Sequence, residues 1–146
     1  DPNPEVDWDS FGFSLNGVRT DSMWFDVVDV PSPSSDEGSG NDSYSSSAST
    51  CLAPLGPLPI HPSSTVLNYG QSLFEGLKAF RRADGSIALF RPDRNAARMS
   101  DGARRLLLPP VPTDTFVGAA DAVARANARW IPPFGRGALY LRPPPV

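Results

Sequence analysis

Residues that carry out much of enzyme chemistry are scarce in this 146-residue sequence. Cys51 is the only cysteine and His61 is the only histidine. A single cysteine excludes an internal disulfide and a thiolate metal cluster, and a single histidine gives poor support to Ser-His-Asp, Cys-His and multi-histidine zinc sites. Lys78 is the only lysine among thirteen basic residues, so lysine chemistry has one candidate side chain within the chain.

Extended basic surface and long apolar segments are also missing. The formal net charge is −3 and no run of lysine or arginine follows one face, so we expect no nucleic-acid partner. No apolar stretch approaches the ~20 residues that span a bilayer, and the first residues, Asp1-Pro2-Asn3-Pro4, lack the features of a signal peptide. We therefore expect no membrane segment. The hydrophobic content of 40% is sufficient for one domain with a core.

Composition divides the chain into three segments. Residues 1–30 carry aromatic and aliphatic residues in a mixed pattern, which predicts the N-terminal strands of a small domain. Residues 31–50 are rich in Pro, Ser, Gly, Asp and Glu, and this composition predicts a disordered insertion because it offers too little apolar surface to offset the entropy of ordering. Residues 51–146 are predicted to form the remainder of the domain.

The third segment contains the clearest secondary-structure signals. Residues 65–69 are predicted to form a strand, and residues 77–82 and 86–91 are predicted to form two further strands. Between the last two lies Asp84-Gly85, and Gly accepts the positive φ of a tight turn, so the sequence predicts a β-hairpin.

Two helices and a last strand follow. Pro92-Asp93 opens a helix whose apolar residues recur at helical spacing, and the helix is predicted to end at Pro109-Pro110. A second helix is predicted from Thr113 as N-cap, with one apolar stripe formed by Phe116, Val123 and Trp130. Residues 137–142 predict a strand. The order indicates an α+β fold, in which the two helices cover a short mixed sheet that includes the hairpin.

Three sets of residues are candidates for chemistry. Arg98 lies one turn into a helix that follows a strand, where its planar fork can bind a phosphate or simply form a solvated ion pair. Tyr140 and Arg142 share one face of a strand and suit a carboxylate ligand, or else pack at the edge of the sheet. The third set lines an apolar pocket or belongs to an ordinary core. It consists of Tyr69, Phe74 and Lys78.

Several sequence blocks also carry a family resemblance. In chain order they are Asp7-Trp8-Asp9, Thr20-Asp21-Ser22-Met23, residues 67–80 (LNYGQSLFEGLKAF), Leu89-Phe90-Arg91-Pro92 with Asn95 and Arg98-Met99, Arg129-Trp130-Ile131-Pro132-Pro133, and Leu139-Tyr140-Leu141-Arg142-Pro143. On these blocks the chain resembles branched-chain amino acid aminotransferases, and plant members more than bacterial ones. These enzymes are fold-type-IV proteins that use pyridoxal 5′-phosphate. The resemblance implies the small N-terminal domain of that fold.

The resemblance also implies roles for individual residues. Arg98 matches the arginine that holds the cofactor phosphate. The other matching positions lie around the pocket for the substrate side chain and carboxylate. They are Tyr69, Phe74, Lys78, Tyr140, Arg142 and one of Phe11 or Phe13, of which Phe13 is favoured.

No catalytic residue is assigned within the chain. In the family a lysine of a second domain bonds the cofactor and moves the proton, and Lys78 matches a different lysine, so we expect a fragment truncated before the catalytic domain. The implied activity is amino transfer between leucine, isoleucine or valine and 2-oxoglutarate, in a parent that is a homodimer. The expected location is the chloroplast, with the mitochondrion as the alternative. The alternative functions are a non-catalytic pseudoenzyme or interaction fragment and, within the fold group, a D-amino acid aminotransferase or aminodeoxychorismate lyase.

Overall fold

A computed structural model of the chain describes residues 1–10, 20–29, 45–46 and 51–144. The fold is α+β, as the order of the predicted elements indicates. The strands are β1 (Ser22–Phe25), β2 (Val28–Asp29), β3 (Ser45–Ser46), β4 (Cys51–Pro54), β5 (Leu77–Arg81), β6 (Ile87–Leu89) and β7 (Leu139–Leu141). The helices are α1 (Thr65–Tyr69), α2 (Pro92–Arg105) and α3 (Thr113–Ala126), with a 3-10 turn at Ala128–Trp130.

A three-stranded sheet with the order β6-β5-β7 forms the centre of the domain. The predicted hairpin is confirmed: Gly85 has a φ of 84°, and the Asp84 carboxylate accepts hydrogen bonds from the Ser86 N–H at 2.9 Å and hydroxyl at 2.7 Å. The prediction of a mixed sheet is wrong, because β5 pairs antiparallel with both neighbours. The short turn imposes this on β6, and β7 runs back along the other edge after α3.

Helices α2 and α3 pack against each other, and α3 also contacts the sheet through β6 and β7. Pro92 is suited to the first turn of α2 because its missing N–H has no partner there in any helix. Small side chains at Ala96 and Ala120 let the helices approach closely. The core contains Leu77, Ala79, Ala96, Met99, Phe116, Ala120, Ala124, Ile131 and Leu141. None of the helices in the described ranges is long and apolar enough to cross a membrane.

The prediction of a strand at residues 65–69 is wrong, because these residues form the short helix α1. Valine, leucine and tyrosine favour strands mainly where they pack on a sheet, and none of the side chains of α1 is buried. A turn precedes the helix, in which the Ser64 N–H donates to the His61 carbonyl at 2.9 Å. Gly70 ends the helix with a left-handed φ of 63°, a conformation that costs glycine little.

The predicted helix limits need correction. Helix α2 ends at Arg105, well before Pro109. Thr113 is the first residue of α3 and makes no capping hydrogen bond, because Pro112 occupies the N-cap position. Helix α3 ends at Ala126, so Trp130 lies in the following 3-10 turn and not on the α3 stripe.

The N-terminal strands form two small antiparallel pairs, β1 with β4 and β2 with β3. The sequence predicts short strands within residues 1–30, where β1 and β2 lie, whereas their partners β3 and β4 lie outside that range. Of the predicted insertion at 31–50, only Ser45–Ser46 lies within the described residues. Helix α3 contacts β1 and β4, and this packing joins the N-terminal pair to the rest of the domain.

Candidate functional site

One face of the three-stranded sheet is not covered by the helices, and we call it the open face. Side chains alternate along β5, where Leu77 and Ala79 are buried in the core while Lys78 and Phe80 are exposed. Lys78 is the cross-strand partner of Tyr140, and directly opposed residues present their side chains on the same face. The open face therefore carries Lys78, Phe80 and Tyr140.

Arg142 and Phe74 extend the open face beyond the paired residues. The Arg142 guanidinium carbon lies 5.3 Å from the centre of the Phe74 ring and 5.4 Å from the centre of the Tyr140 ring. Contacts of this kind hold a cation against aromatic faces while leaving its N–H donors available. The arrangement places a guanidinium beside two aromatic rings, one of which, Phe74, is 62% exposed.

Gly76 allows the Tyr140 ring to lie directly against the backbone. A Cβ atom at this position would lie 2.9 Å from Tyr140 Cε2 and 3.0 Å from Cζ, both too short for an ordinary contact. The ring therefore occupies the space that any other side chain would need. Gly76 lies in the block of residues 67–80 that contributes to the family resemblance, and this packing gives a physical reason for glycine there.

Gly76→Ala is expected to lower the free energy of unfolding by about 1–3 kcal/mol, because the methyl group overpacks against Tyr140. Gly118→Ala is the matched control, since Gly118 lies in α3 with no atom within 4 Å of the new methyl group. That change should stabilise the chain by about 0.5–1 kcal/mol through helix propensity. Urea unfolding of the two variants measures both effects, and equal effects would contradict the proposed contact with Tyr140.

Arg98 is bound to the carboxylate of Glu75, two residues before β5. Its Nε donates to Glu75 Oε1 at 2.9 Å and its Nη2 donates to Glu75 Oε2 at 2.7 Å. Asn95, one turn earlier on α2, donates from Nδ2 to Glu75 Oε2 at 2.8 Å and to the Gly76 carbonyl at 3.0 Å. Glu75 is only 12% exposed at its side chain, whereas Arg98 is 61% exposed. The ion pair therefore has one fixed partner and one that faces solvent.

The charge of Glu75 is stabilised in the folded chain. Burial raises the pKa of Glu75, but hydrogen bonds from Arg98 and Asn95 and the positive charge of Arg98 outweigh burial, so that its pKa lies below the ordinary value. The unfolded chain thus binds the proton more tightly than the folded chain. The contribution of Glu75 to stability is present above its ordinary pKa and is lost as pH falls through the folded-state pKa.

A second polar cluster joins the end of α3 to β1. Its contacts were not predicted from the sequence. Asn127 Oδ1 accepts from the backbone N–H groups of Asp21 at 2.8 Å and Ser22 at 2.9 Å, and Nδ2 donates to the Ser22 carbonyl at 2.9 Å. Arg129 adds a bidentate ion pair to the Asp21 carboxylate. An asparagine directly after a helix is a common signal for its C-terminal end.

The structure brings together four of the predicted substrate-pocket residues, Phe74, Lys78, Tyr140 and Arg142. Tyr69 is at the end of α1, is 84% exposed, and has no hydrogen bond or ring contact with those four within the described part of the chain. Phe13 and its alternative Phe11 lie outside the described residues. Arg98 is connected to the group through Glu75, which lies between Phe74 and Gly76 in sequence.

The fold is that of a fold-type-IV protein. A solved structure of a branched-chain amino acid aminotransferase from Thermobaculum terrenum, in its pyridoxal-phosphate form, superposes on 64% of this chain and 29% of that one, with a TM-score of 0.51 and 22% identity. No family model matches the chain.

Sequence comparison with curated proteins identifies relatives of one kind, the branched-chain aminotransferases. The chain is 44% identical over 139 residues to the chloroplastic branched-chain amino acid aminotransferase 2 of Humulus lupulus, covering 95% of this chain and 30% of that protein. Against the Haemophilus influenzae branched-chain-amino-acid aminotransferase, the identity is 45% over 140 residues, covering 95% of this chain and 36% of the relative. The mitochondrial enzyme 1 of Arabidopsis thaliana is 41% identical over 95% of this chain and 32% of its own length. The chain is therefore homologous to part of a branched-chain aminotransferase and spans about a third of the relatives it matches.

Proposed function

We propose that this chain supplies the cofactor-phosphate anchor and one wall of the substrate pocket of a branched-chain amino acid aminotransferase. The observation that carries the proposal is the Phe74–Arg142–Tyr140 contact on the open face. A branched-chain amino acid has an apolar side chain and a carboxylate, and this cluster offers aromatic surface and a guanidinium side by side. In the proposal, Arg142 binds the carboxylate while Phe74 and Tyr140 contact the apolar side chain.

Arg98 fits a phosphate group. Its five N–H donors include two that are bound to Glu75, so that both N–H groups of Nη1 and one of Nη2 have no protein partner among the described residues. One N–H of Nη1 and the remaining N–H of Nη2 form the end-on edge of the guanidinium, which can donate two parallel hydrogen bonds to a phosphate. When bound, pyridoxal 5′-phosphate supplies the electron sink for amino transfer. The role of this chain in the proposal is to hold the phosphate and to orient the amino acid.

In this proposal Lys78 is not the lysine that bonds the cofactor. It stands on the open face opposite Tyr140, and its ammonium forms no hydrogen bond or ion pair with any described residue. The resemblance places it near the substrate pocket, so we propose that it contributes positive charge there. On its own, the 146-residue chain is expected not to transfer amino groups.

A chimeric subunit tests the proposed function. In it, this chain replaces the matching 36% of the Haemophilus influenzae branched-chain-amino-acid aminotransferase, and the assay measures glutamate formed from leucine and 2-oxoglutarate. We expect the chimera to form glutamate, and the separate chain to form none. A chimera whose cofactor lysine is replaced by alanine is the inactive control. A folded chimera that binds pyridoxal phosphate without forming glutamate would contradict the proposal.

The relatives also support a proposal on location and assembly. One of the relatives described above is named as chloroplastic and another as mitochondrial, so we propose that the parent protein is located in an organelle. From the resemblance to plant members, we propose the chloroplast. We further propose that the parent subunit forms a homodimer, as the family resemblance implies. Fractionation of plastids and mitochondria and light scattering of the parent protein test these two points.

A further inference from the structure

We infer that Glu75 is a positioning residue, which fixes the Arg98 guanidinium so that its end-on edge is free to bind the cofactor phosphate. The inference rests on the proposed function, because it takes Arg98 as the phosphate anchor. It adds a second residue to that anchor and an order of dependence between the two. Among the described residues, the Glu75 carboxylate accepts side-chain hydrogen bonds from Arg98 and Asn95, and of these two Arg98 is taken as the phosphate anchor, so the action of Glu75 on the phosphate passes through Arg98.

The geometry separates the two edges of the guanidinium. Glu75 binds the side-on edge, formed by Nε and Nη2, with both bonds at 2.9 Å or less. A bidentate pair of this kind fixes the plane of the guanidinium as well as its position. The adjacent end-on edge, formed by one N–H of Nη1 and the second N–H of Nη2, has no protein partner in the described part of the chain. The Glu75 carboxylate thus occupies one edge of the Arg98 guanidinium and leaves the end-on edge free to bind a ligand.

Glu75 is itself fixed, which is needed if it is to orient another side chain. Asn95 is 7% exposed and bonds both the Glu75 carboxylate and the Gly76 carbonyl. The Glu75 backbone N–H donates to the Pro143 carbonyl at 3.2 Å, next to the strand that carries Tyr140. The carboxylate is therefore held from α2 and the Glu75 backbone from the segment just after β7, while the Arg98 side chain is largely exposed.

Charge and orientation make opposite predictions for the loss of Glu75. The negative charge of Glu75 offsets the positive charge of Arg98. A purely electrostatic effect would therefore make phosphate bind more tightly when Glu75 is neutralised. A long, exposed arginine that loses its fixed orientation must be ordered again on binding, and this weakens the affinity. The sign of the change in affinity therefore distinguishes a positioning residue from a neighbouring charge.

The test uses pyridoxine 5′-phosphate, which has no aldehyde and so forms no covalent bond with Lys78. Its dissociation constant is measured by calorimetry for the wild-type chain, Glu75→Gln and Asp121→Asn. We expect Glu75→Gln to weaken binding about threefold, since the isosteric amide places an N–H against an Arg98 donor. Asp121→Asn is the matched control, because it neutralises the partner of Arg125 on α3, at 2.7 Å, and should leave the affinity unchanged.

The Arg98 Nε–Hε signal in nitrogen-15 NMR spectra gives a readout that overall stability does not move. In wild-type chain this proton should exchange slowly with water, and in Glu75→Gln faster, with the other amide signals unchanged. If Glu75→Gln does not fold, Glu75→Asp retains the charge but shortens the reach by one methylene, and it should also weaken binding. Equal or tighter binding by the folded variant would overturn the positioning role alone. Absence of any phosphate-dependent binding by wild-type chain would overturn the phosphate role of Arg98 as well.

Discussion

Asn127→Ala is expected to lower the free energy of unfolding by about 3 kcal/mol, the largest loss of stability that we predict for a single side chain. Asn127 is 1% exposed and its side chain makes four hydrogen bonds, two as acceptor and two as donor. Alanine would leave the N–H groups of Asp21 and Ser22 without these partners in a region with limited access to water. The attachment of β1 to α3 should weaken first.

Urea unfolding followed by circular dichroism measures this loss. Asn68→Ala is the matched control, because the Asn68 side chain donates two hydrogen bonds of 3.1 Å to the carbonyls of Pro62 and Ser64 but is exposed. Water can replace those bonds, so the control should change stability by about 0.5 kcal/mol or less. Similar losses for the two variants would show that Asn127 does not hold β1 in place.

The elements that the sequence predicted well are those specified by neighbouring residues. The turn at Asp84-Gly85 and the start of α2 at Pro92 depend on local conformational preferences, and both were confirmed. Helix α1 was predicted as a strand because its residues favour strands. The structure shows instead an exposed helix between a turn and Gly70, where packing on a sheet plays no part.

The polar contacts of the site could not be predicted from the sequence, for a different reason. Glu75 and Arg98 are 23 positions apart, and Asp21 and Asn127 are 106 apart, so each pair depends on how distant elements pack. The common face of Tyr140 and Arg142 was predictable because it follows from the period of a strand. Their contact with Phe74 was not, since Phe74 precedes β5 and reaches Arg142 only through the pairing of β5 with β7.

Arg98→Ala is expected to weaken the binding of pyridoxine 5′-phosphate about tenfold, the largest effect on ligand binding that we predict. The end-on edge of the guanidinium would no longer donate to the phosphate, and Glu75 would be left as an unpaired negative charge close to it. Both changes act against an anion. Pyridoxine, which has the same ring without the phosphate, should bind wild-type chain and variant equally.

The ratio of the two affinities is therefore the most direct test of the central claim that this chain carries the cofactor-phosphate anchor. Calorimetry gives the dissociation constants of pyridoxine 5′-phosphate and pyridoxine for wild-type chain, Arg98→Ala and Arg125→Ala. Arg125 is the control because it is also a helical arginine in an exposed ion pair, with Asp121. We predict a preference for the phosphate in wild-type chain and Arg125→Ala that disappears in Arg98→Ala. An unchanged preference in Arg98→Ala would contradict the account.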